Sequence, residues 1–235
     1  LKNVKFAKPA DTEAKSTVNV VIPTAYTKLT SSFIKTLRTI RERADFDIHF
    51  TFLTNSKNLM YAYAKEVIET EFPNAKFYGT QNYKAYFNCI KQGDIALTPY
   101  PFGQDNMMID ICLAGKPSVN LLGTEPHSRT SLSSLRLLGL DHLFTVETEE
   151  DYINLFFDLA RQIMDGKREF FDPQEIYDIL YNQAGKARPN LGDLLYWTYR
   201  NAERLYNAEE SILHMDEDWR DYQTSDSDNE PAAQS

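Results

Sequence analysis

The sequence predicts an α/β protein: a Rossmann-like parallel sheet with helices on both faces, followed by further helices and a disordered acidic tail. Three observations carry this class. Short apolar runs alternate with segments of helical periodicity, roughly six times along residues 18–147. The runs are apolar at successive positions, as strands covered on both faces of a parallel sheet must be. The connections between runs and helices are short, which suits strand–helix–strand crossovers.

Residues 1–17 are polar and aperiodic, a linker by composition. Val18 to Pro23 forms the first strand. Thr24 to Thr30 is a loop holding Lys28. Thr30 or Ser31 caps a helix in which Phe33, Ile34, Leu37 and Ile40 recur at helical spacing. Ile48 to Leu53 is the second strand, and Asn58 to Phe72 is an amphipathic helix stopped by Pro73. Ala75 to Tyr78 is a short third strand, followed by a helix from Tyr83 to Lys91 that ends at Gly93.

Two strand–loop–helix units come next. Ile95 to Thr98 is a buried strand that runs into a Pro/Gly loop, Pro99 to Gly103, and a helix begins near Asn106. That helix closes at Gly115-Lys116-Pro117 and feeds a strand from Ser118 to Leu121. The loop from Gly123 to His127 opens another helix, and a brief strand is predicted at Leu143 to Val146. Ligands of such sheets bind outside the carboxyl ends of the strands. The loops at Lys28, Pro99–Asp105 and Gly123–His127 all fall at that edge. Helix starts carry unpaired N–H groups and partial positive charge, so this edge suits a diphosphate.

Residues 148–215 read as helical only, with candidate helices at Tyr152–Met164, Pro173–Asn182 and Leu191–Tyr206. Thr148 with Asp151 marks a helix start. Residues 216–235 are acidic and then Ser/Asp/Glu/Pro/Gln-rich, the composition of a disordered tail.

Composition excludes several functions. A net charge of −9 over 235 residues argues against a nucleic-acid partner. No apolar run approaches the ~20 residues that span a bilayer. No signal peptide is visible, and Cys89 and Cys112 sit in predicted helices as reduced thiols, which points to the cytoplasm. No Cys/His cluster has metal-ligand spacing, so no metal cofactor is expected. The glycine fingerprints of dinucleotide and P-loop sites are absent.

Single residues leave two readings open each. Gly103-Gln104-Asp105-Asn106 is either a phosphate loop or an ordinary helix cap. Asp110, one turn beyond Asn106, either accepts ribose hydroxyls or complements the helix dipole. Lys28 either neutralises a departing diphosphate or is a solvated loop lysine. His127 either holds a phosphate or sugar or caps its loop. Tyr100, Pro101 and Phe102 form an apolar wall for a base or sugar, or pin the loop to a neighbour.

In combination these segments resemble a known family. Thr98-Pro-Tyr-Pro-Phe-Gly103, Asn106-x-x-x-Asp110, Leu113-Ala-Gly-Lys-Pro117, Gly123-Thr-Glu-Pro-His127 and Arg136-Leu-Leu-Gly-Leu140 are similar, in order, to the carboxyl-terminal half of one glycosyltransferase family. It holds the eukaryotic O-linked N-acetylglucosamine transferases and the bacterial cytoplasmic protein N-glucosyltransferases that modify adhesins. The likeness covers roughly Val18 to Val146 and is greater to the bacterial branch.

The resemblance implies the second half of a GT-B fold, which holds a uridine-diphosphate (UDP) sugar. By motif position it implies that Lys28 stabilises the leaving diphosphate and that Gly103, Gln104, Asp105, Asn106 and His127 surround the donor. Asp110 takes the ribose. It further implies metal-independent, inverting transfer of a hexose, glucose by the nearer branch, to asparagine of an acceptor protein such as an adhesin. The acceptor-binding half precedes this region in the family. With Leu rather than Met at position 1, the chain reads as a fragment that is inactive alone. Two other readings stand beside this one: a non-catalytic interaction module on the same fold, and a UDP-sugar epimerase-like domain.

Overall fold

The computed structural model describes residues 15–54, 59–181, 199, 200 and 202. The chain divides into two units, residues 1–182 and 183–235. The helix expected at Leu191–Tyr206 lies almost wholly outside the described residues, and the acidic tail lies wholly outside them.

The first unit is built on a six-stranded sheet. Its strands are β1 (Thr17–Pro23), β2 (Asp47–Leu53), β3 (Lys76–Tyr78), β4 (Ile95–Leu97), β5 (Ser118–Leu121) and β6 (Thr145–Val146). All pairings are parallel and the order is β3-β2-β1-β4-β5-β6. The chain therefore reverses its direction of travel across the sheet between β1 and β4. That switch point is where crossovers leave to opposite faces and a crevice opens at the carboxyl edge.

Side-chain alternation along the strands explains the two layers. Val20 and Ile22 of β1, Phe50 and Phe52 of β2, and Ile95 and Leu97 of β4 enter the larger core. Helix α1 (Ser31–Arg43) covers that face with Phe33, Leu37 and Ile40, and α7 (Glu149–Met164) with Tyr152, Phe156 and Leu159. Val21, Leu53 and Ala96 point the other way and meet Ile90 of α3 (Tyr83–Gln92) and Ile111 of α4 (Asn106–Leu113). α2 (Leu59–Glu71) joins β2 to β3, and α8 (Pro173–Tyr181) packs on α4.

The helix starts follow local chemistry. Thr30, Asn82 and Thr148 each accept an N–H from three residues on, at Phe33, Ala85 and Asp151. Past the end of α4, Gly115 adopts a left-handed φ of 69° that turns the chain toward β5.

The boundaries shift in places. β1 begins at Thr17, inside the stretch read as linker, and Lys15 is ion-paired with Asp94 at 2.7 Å. The run Leu143–Val146 is not one strand: a helical turn, α6 (Asp141–Phe144), precedes the two-residue β6. A four-residue apolar run fits either period, and Phe144 reaches the core from the helical turn. The loop at Gly123–His127 first makes a 3₁₀ turn, Pro126–Ser128, before α5 (Thr130–Leu137) begins. Among the described residues no helix is long and apolar enough to cross a membrane.

Candidate functional site

Three loops meet at the carboxyl edge, where β1, β4 and β5 end. After β1 the chain makes a 3₁₀ turn, Tyr26–Lys28, that lifts Lys28 over the loop following β4. Lys28 Nζ donates to the carbonyl of Gly103 at 2.5 Å. Burial lowers the pKa of this ammonium, and the nearby Asp105 carboxylate opposes the shift. The loop after β5 closes the group: Gly103 N donates to the His127 carbonyl at 2.9 Å. The Gln104 N–H donates to Ser131 Oγ of α5 at 2.6 Å. Gly103 has no room for a side chain, since a Cβ there would meet Thr130 Oγ1 and two backbone nitrogens at 3.1 Å.

Helix α4 opens from this loop without a side-chain cap at Asp105. The N–H groups of Asp105, Asn106 and Met107 have no hydrogen-bond partner among the described residues, and Asp105 and Asn106 are exposed. They form the donor set that an anion would meet. Lys28, Gly103, Asp105 and Asn106 thus share one locality. His127 is exposed there, its ring 5.4 Å from that of Phe102.

Gln104 is placed otherwise than expected, and Tyr100 takes one of its two readings. Gln104 is 1% exposed, and its Nε2 donates to the Pro23 carbonyl at 2.6 Å. It is a strut between the end of β1 and the loop, and its amide faces protein rather than ligand. Tyr100 is no ligand wall either. It is buried between Phe33 and Tyr152, its hydroxyl bonded to Thr36 and Glu149. An aromatic in a proline loop is read equally well as exposed or inserted. Here the inserted form fills the core, while Phe102 stays at the surface. Tyr152 adds a second anchor by donating to the Thr98 carbonyl at 3.0 Å.

Asp110 lies one turn along α4, half-buried, at a cavity of 290 Å³ reached past Met107. The ends of β2 and β3 supply Thr54 and the Gly79–Gln81 loop, and α3 supplies Tyr83 and Tyr86. The Tyr83 hydroxyl donates to Asp110 Oδ1 at 2.8 Å. Burial raises the pKa of the Asp110 carboxyl, and the tyrosine hydroxyls pull it back. Burial and then the Asp110 bond push the Tyr83 phenol up, so Tyr83 is the donor. The sequence signal for these tyrosines was only their spacing of three on one helix face. A second cavity, 320 Å³ and largely apolar, lies on the far side of the Lys28 turn between Leu29, Ile34 and Met60.

Likeness to known proteins bears on the fold. No protein-family model matches the chain. Over 150 residues it is 28% identical to the UDP-glucose:protein N-beta-glucosyltransferase of Actinobacillus pleuropneumoniae, a match over 63% of this chain and 24% of that enzyme. A variant O-GlcNAc transferase of Thermobaculum terrenum superposes with a TM-score of 0.64 at 15% identity, over 86% of this chain and 39% of that one. TarM of S. aureus, solved with UDP, superposes with a TM-score of 0.51 at 11% identity, over 87% and 38%. Topology and likeness together define the class of fold: this is a Rossmann-like α/β unit of the kind found in GT-B glycosyltransferases. Its sequence likeness is to protein N-glucosyltransferases, and its fold likeness extends to an O-GlcNAc transferase. The chain spans about a quarter of the length of the curated relatives it matches.

Proposed function

We propose that the chain is the donor-binding part of an inverting, metal-independent glycosyltransferase. It holds a UDP-sugar, glucose by its sequence relatives, and serves transfer of the hexose to asparagine side chains of an acceptor protein such as an adhesin, in the cytoplasm. The observation that carries this reading is Lys28 Nζ standing on the Gly103 carbonyl, beside the uncapped start of α4 and one turn from Asp110. An acceptor-binding half completes the reaction centre in this proposal.

The chemistry asked of these residues is electrostatic. The acceptor amide nitrogen bonds to the anomeric carbon and gives up one proton to solvent as the carbon–oxygen bond to the diphosphate breaks. The electron pair goes to the diphosphate, and Lys28 and the N–H groups of Asp105, Asn106 and Met107 meet the growing charge. Lys28 already lies in a partly desolvated place, where its charge acts more strongly than in water. Asp110 takes the ribose and fixes the register of the donor. His127 borders the sugar end of the site, near the diphosphate loop it is bonded to.

Calorimetry with UDP and UDP-glucose tests the binding step, and absence of heat with either ligand refutes it. Mass spectrometry of an acceptor co-expressed with the enzyme bearing both halves tests the transfer. There Lys28→Ala lowers turnover by about a hundredfold, ~3 kcal/mol of barrier, with a smaller change in donor affinity. Unchanged turnover removes Lys28 from the mechanism.

A further inference from the structure

The 3₁₀ turn that carries Lys28 has no side-chain cap, and the chain leaves it through Leu29 and Thr30 straight into α1. A lysine side chain is long and freely rotating, and burial works against its charge here, so water competes for it. The turn must be held against the loop after β4 if Lys28 is to stay there. The Thr30 hydroxyl makes two bonds at once. It accepts the Phe33 N–H at 3.2 Å, which caps α1, and it donates to the Tyr100 carbonyl at 2.9 Å. The Thr30 N–H donates to the Lys28 carbonyl at 3.0 Å. Capping accounts for the first hydroxyl bond alone. The second joins two loops across 70 positions of chain. Tyr100 gives it a fixed target: its ring lies edge-on to Phe33 of α1, with centroids 5.8 Å and planes 82° apart, and its hydroxyl is bonded to Thr36 of the same helix. The loop is thus tied to the start of α1 at Tyr100 by Thr30 and at Gly103 by Lys28. Among short side chains only a hydroxyl has both a strong donor and a lone pair to accept with, which confines this role to Thr or Ser.

We propose that Thr30 is a positioning residue for the diphosphate site: its bond to the Tyr100 carbonyl fixes the Lys28 turn against the loop after β4, so that Lys28 Nζ stands over Gly103 before a ligand arrives. This rests on the reading of that loop as the diphosphate site. Thr30 touches no ligand and acts through Lys28. Without its bond the turn lifts, and the lysine, partly desolvated where it stands, leaves for water. An arriving diphosphate must then order the lysine again, and affinity falls by the cost of that ordering.

Calorimetry of UDP with the 235-residue chain, at alkaline pH in buffers of different ionisation enthalpy, reads both affinity and proton uptake. Thr30→Val keeps the shape and removes the hydroxyl. UDP then binds about fivefold more weakly or worse, and proton uptake on binding falls because the lysine has returned to water. Thr30→Ser restores both. In the Lys28→Met protein, Thr30→Val changes UDP affinity by less than about twofold, since the two residues act as one unit. Thr30→Gly isolates the bond to the loop, because glycine caps a helix nearly as well as threonine but donates nothing from its side chain. It loses UDP affinity as Thr30→Val does, and it decides the matter even if the valine variant fails to fold. A role in capping alone gives Thr30→Val a lower melting temperature with UDP affinity and proton uptake as in the parent. That result, parental UDP affinity in Thr30→Gly, or an equal affinity loss from Thr30→Val in the parent and in the Lys28→Met protein overturns this inference alone. No binding of UDP to the unaltered chain overturns the reading of the site and this inference with it.

Discussion

Replacing Gln104 by alanine tests whether the diphosphate loop is held from behind. The side chain is 1% exposed, with Nε2 on the Pro23 carbonyl at 2.6 Å, while the backbone N–H of the same residue is held separately by Ser131. Alanine keeps the backbone bond and removes the side-chain bond. The lost bond is worth ~1 kcal/mol net, with more where the carbonyl is left dry. Removing a methylene and an amide from a closed space adds a further ~1–2 kcal/mol. The sum is ~2–4 kcal/mol, a large share of the ~5–15 kcal/mol that holds a domain folded. Urea unfolding followed by circular dichroism reads it as a lower midpoint at unchanged slope.

Gln104→Glu sharpens the test. Ionised, it sets a carboxylate against a carbonyl and is worse than alanine at neutral pH. Protonated, it can donate as the amide did. Burial raises its folded pKa, so its stability is greatest at acid pH and is lost as pH rises through that value. A Gln104→Ala protein within about 0.5 kcal/mol of the parent would show that nothing is braced by this residue.

Two further outcomes follow from the same edge of the sheet. Gly103→Ala forces its Cβ against Thr130 Oγ1 and the start of α5, so the loop shifts, Lys28 loses its carbonyl and UDP affinity falls by about tenfold or more; unchanged calorimetry refutes the tight fit. UDP binding takes up a proton at alkaline pH, because burial depresses Lys28 and an arriving diphosphate raises it again. Heats measured in buffers of different ionisation enthalpy then differ, and Lys28→Met binds without that difference. Without ligand the same depression makes Lys28 a burden that eases as pH rises toward its ordinary value of 10.5.

Much of the layout was legible in the amino acids. Apolar runs such as Val18–Ile22 name buried strands, and Thr30 and Thr148 name helix starts through a bond three residues long. These signals are local. Lys28 and Gly103 are far apart along the chain, and resemblance to a family rather than any local pattern drew them together. What local signals miss is which way a side chain turns. Gln104 and Tyr100 sit in an evident loop, yet both point inward because β1 and α7 offer them partners there. Tyr83 was read only as the start of a helix, since its partner Asp110 belongs to a different helix. Leu143–Val146 failed for another reason: too few residues to distinguish a period of two from 3.6.

β1 lies inside the sheet, but the neighbour that covers one of its flanks, β4, is made much later: Val20 pairs with Ile95 and Val21 with Ala96. Ribosomes emit ~5–20 residues per second, so the flank stays open for ~4–15 s of synthesis. An unpaired apolar edge is a template for other chains during that interval. Lower growth temperature or a chaperone that shields nascent strands should therefore raise soluble yield, because the strand that leads into the Lys28 turn waits longest along the chain for its second neighbour.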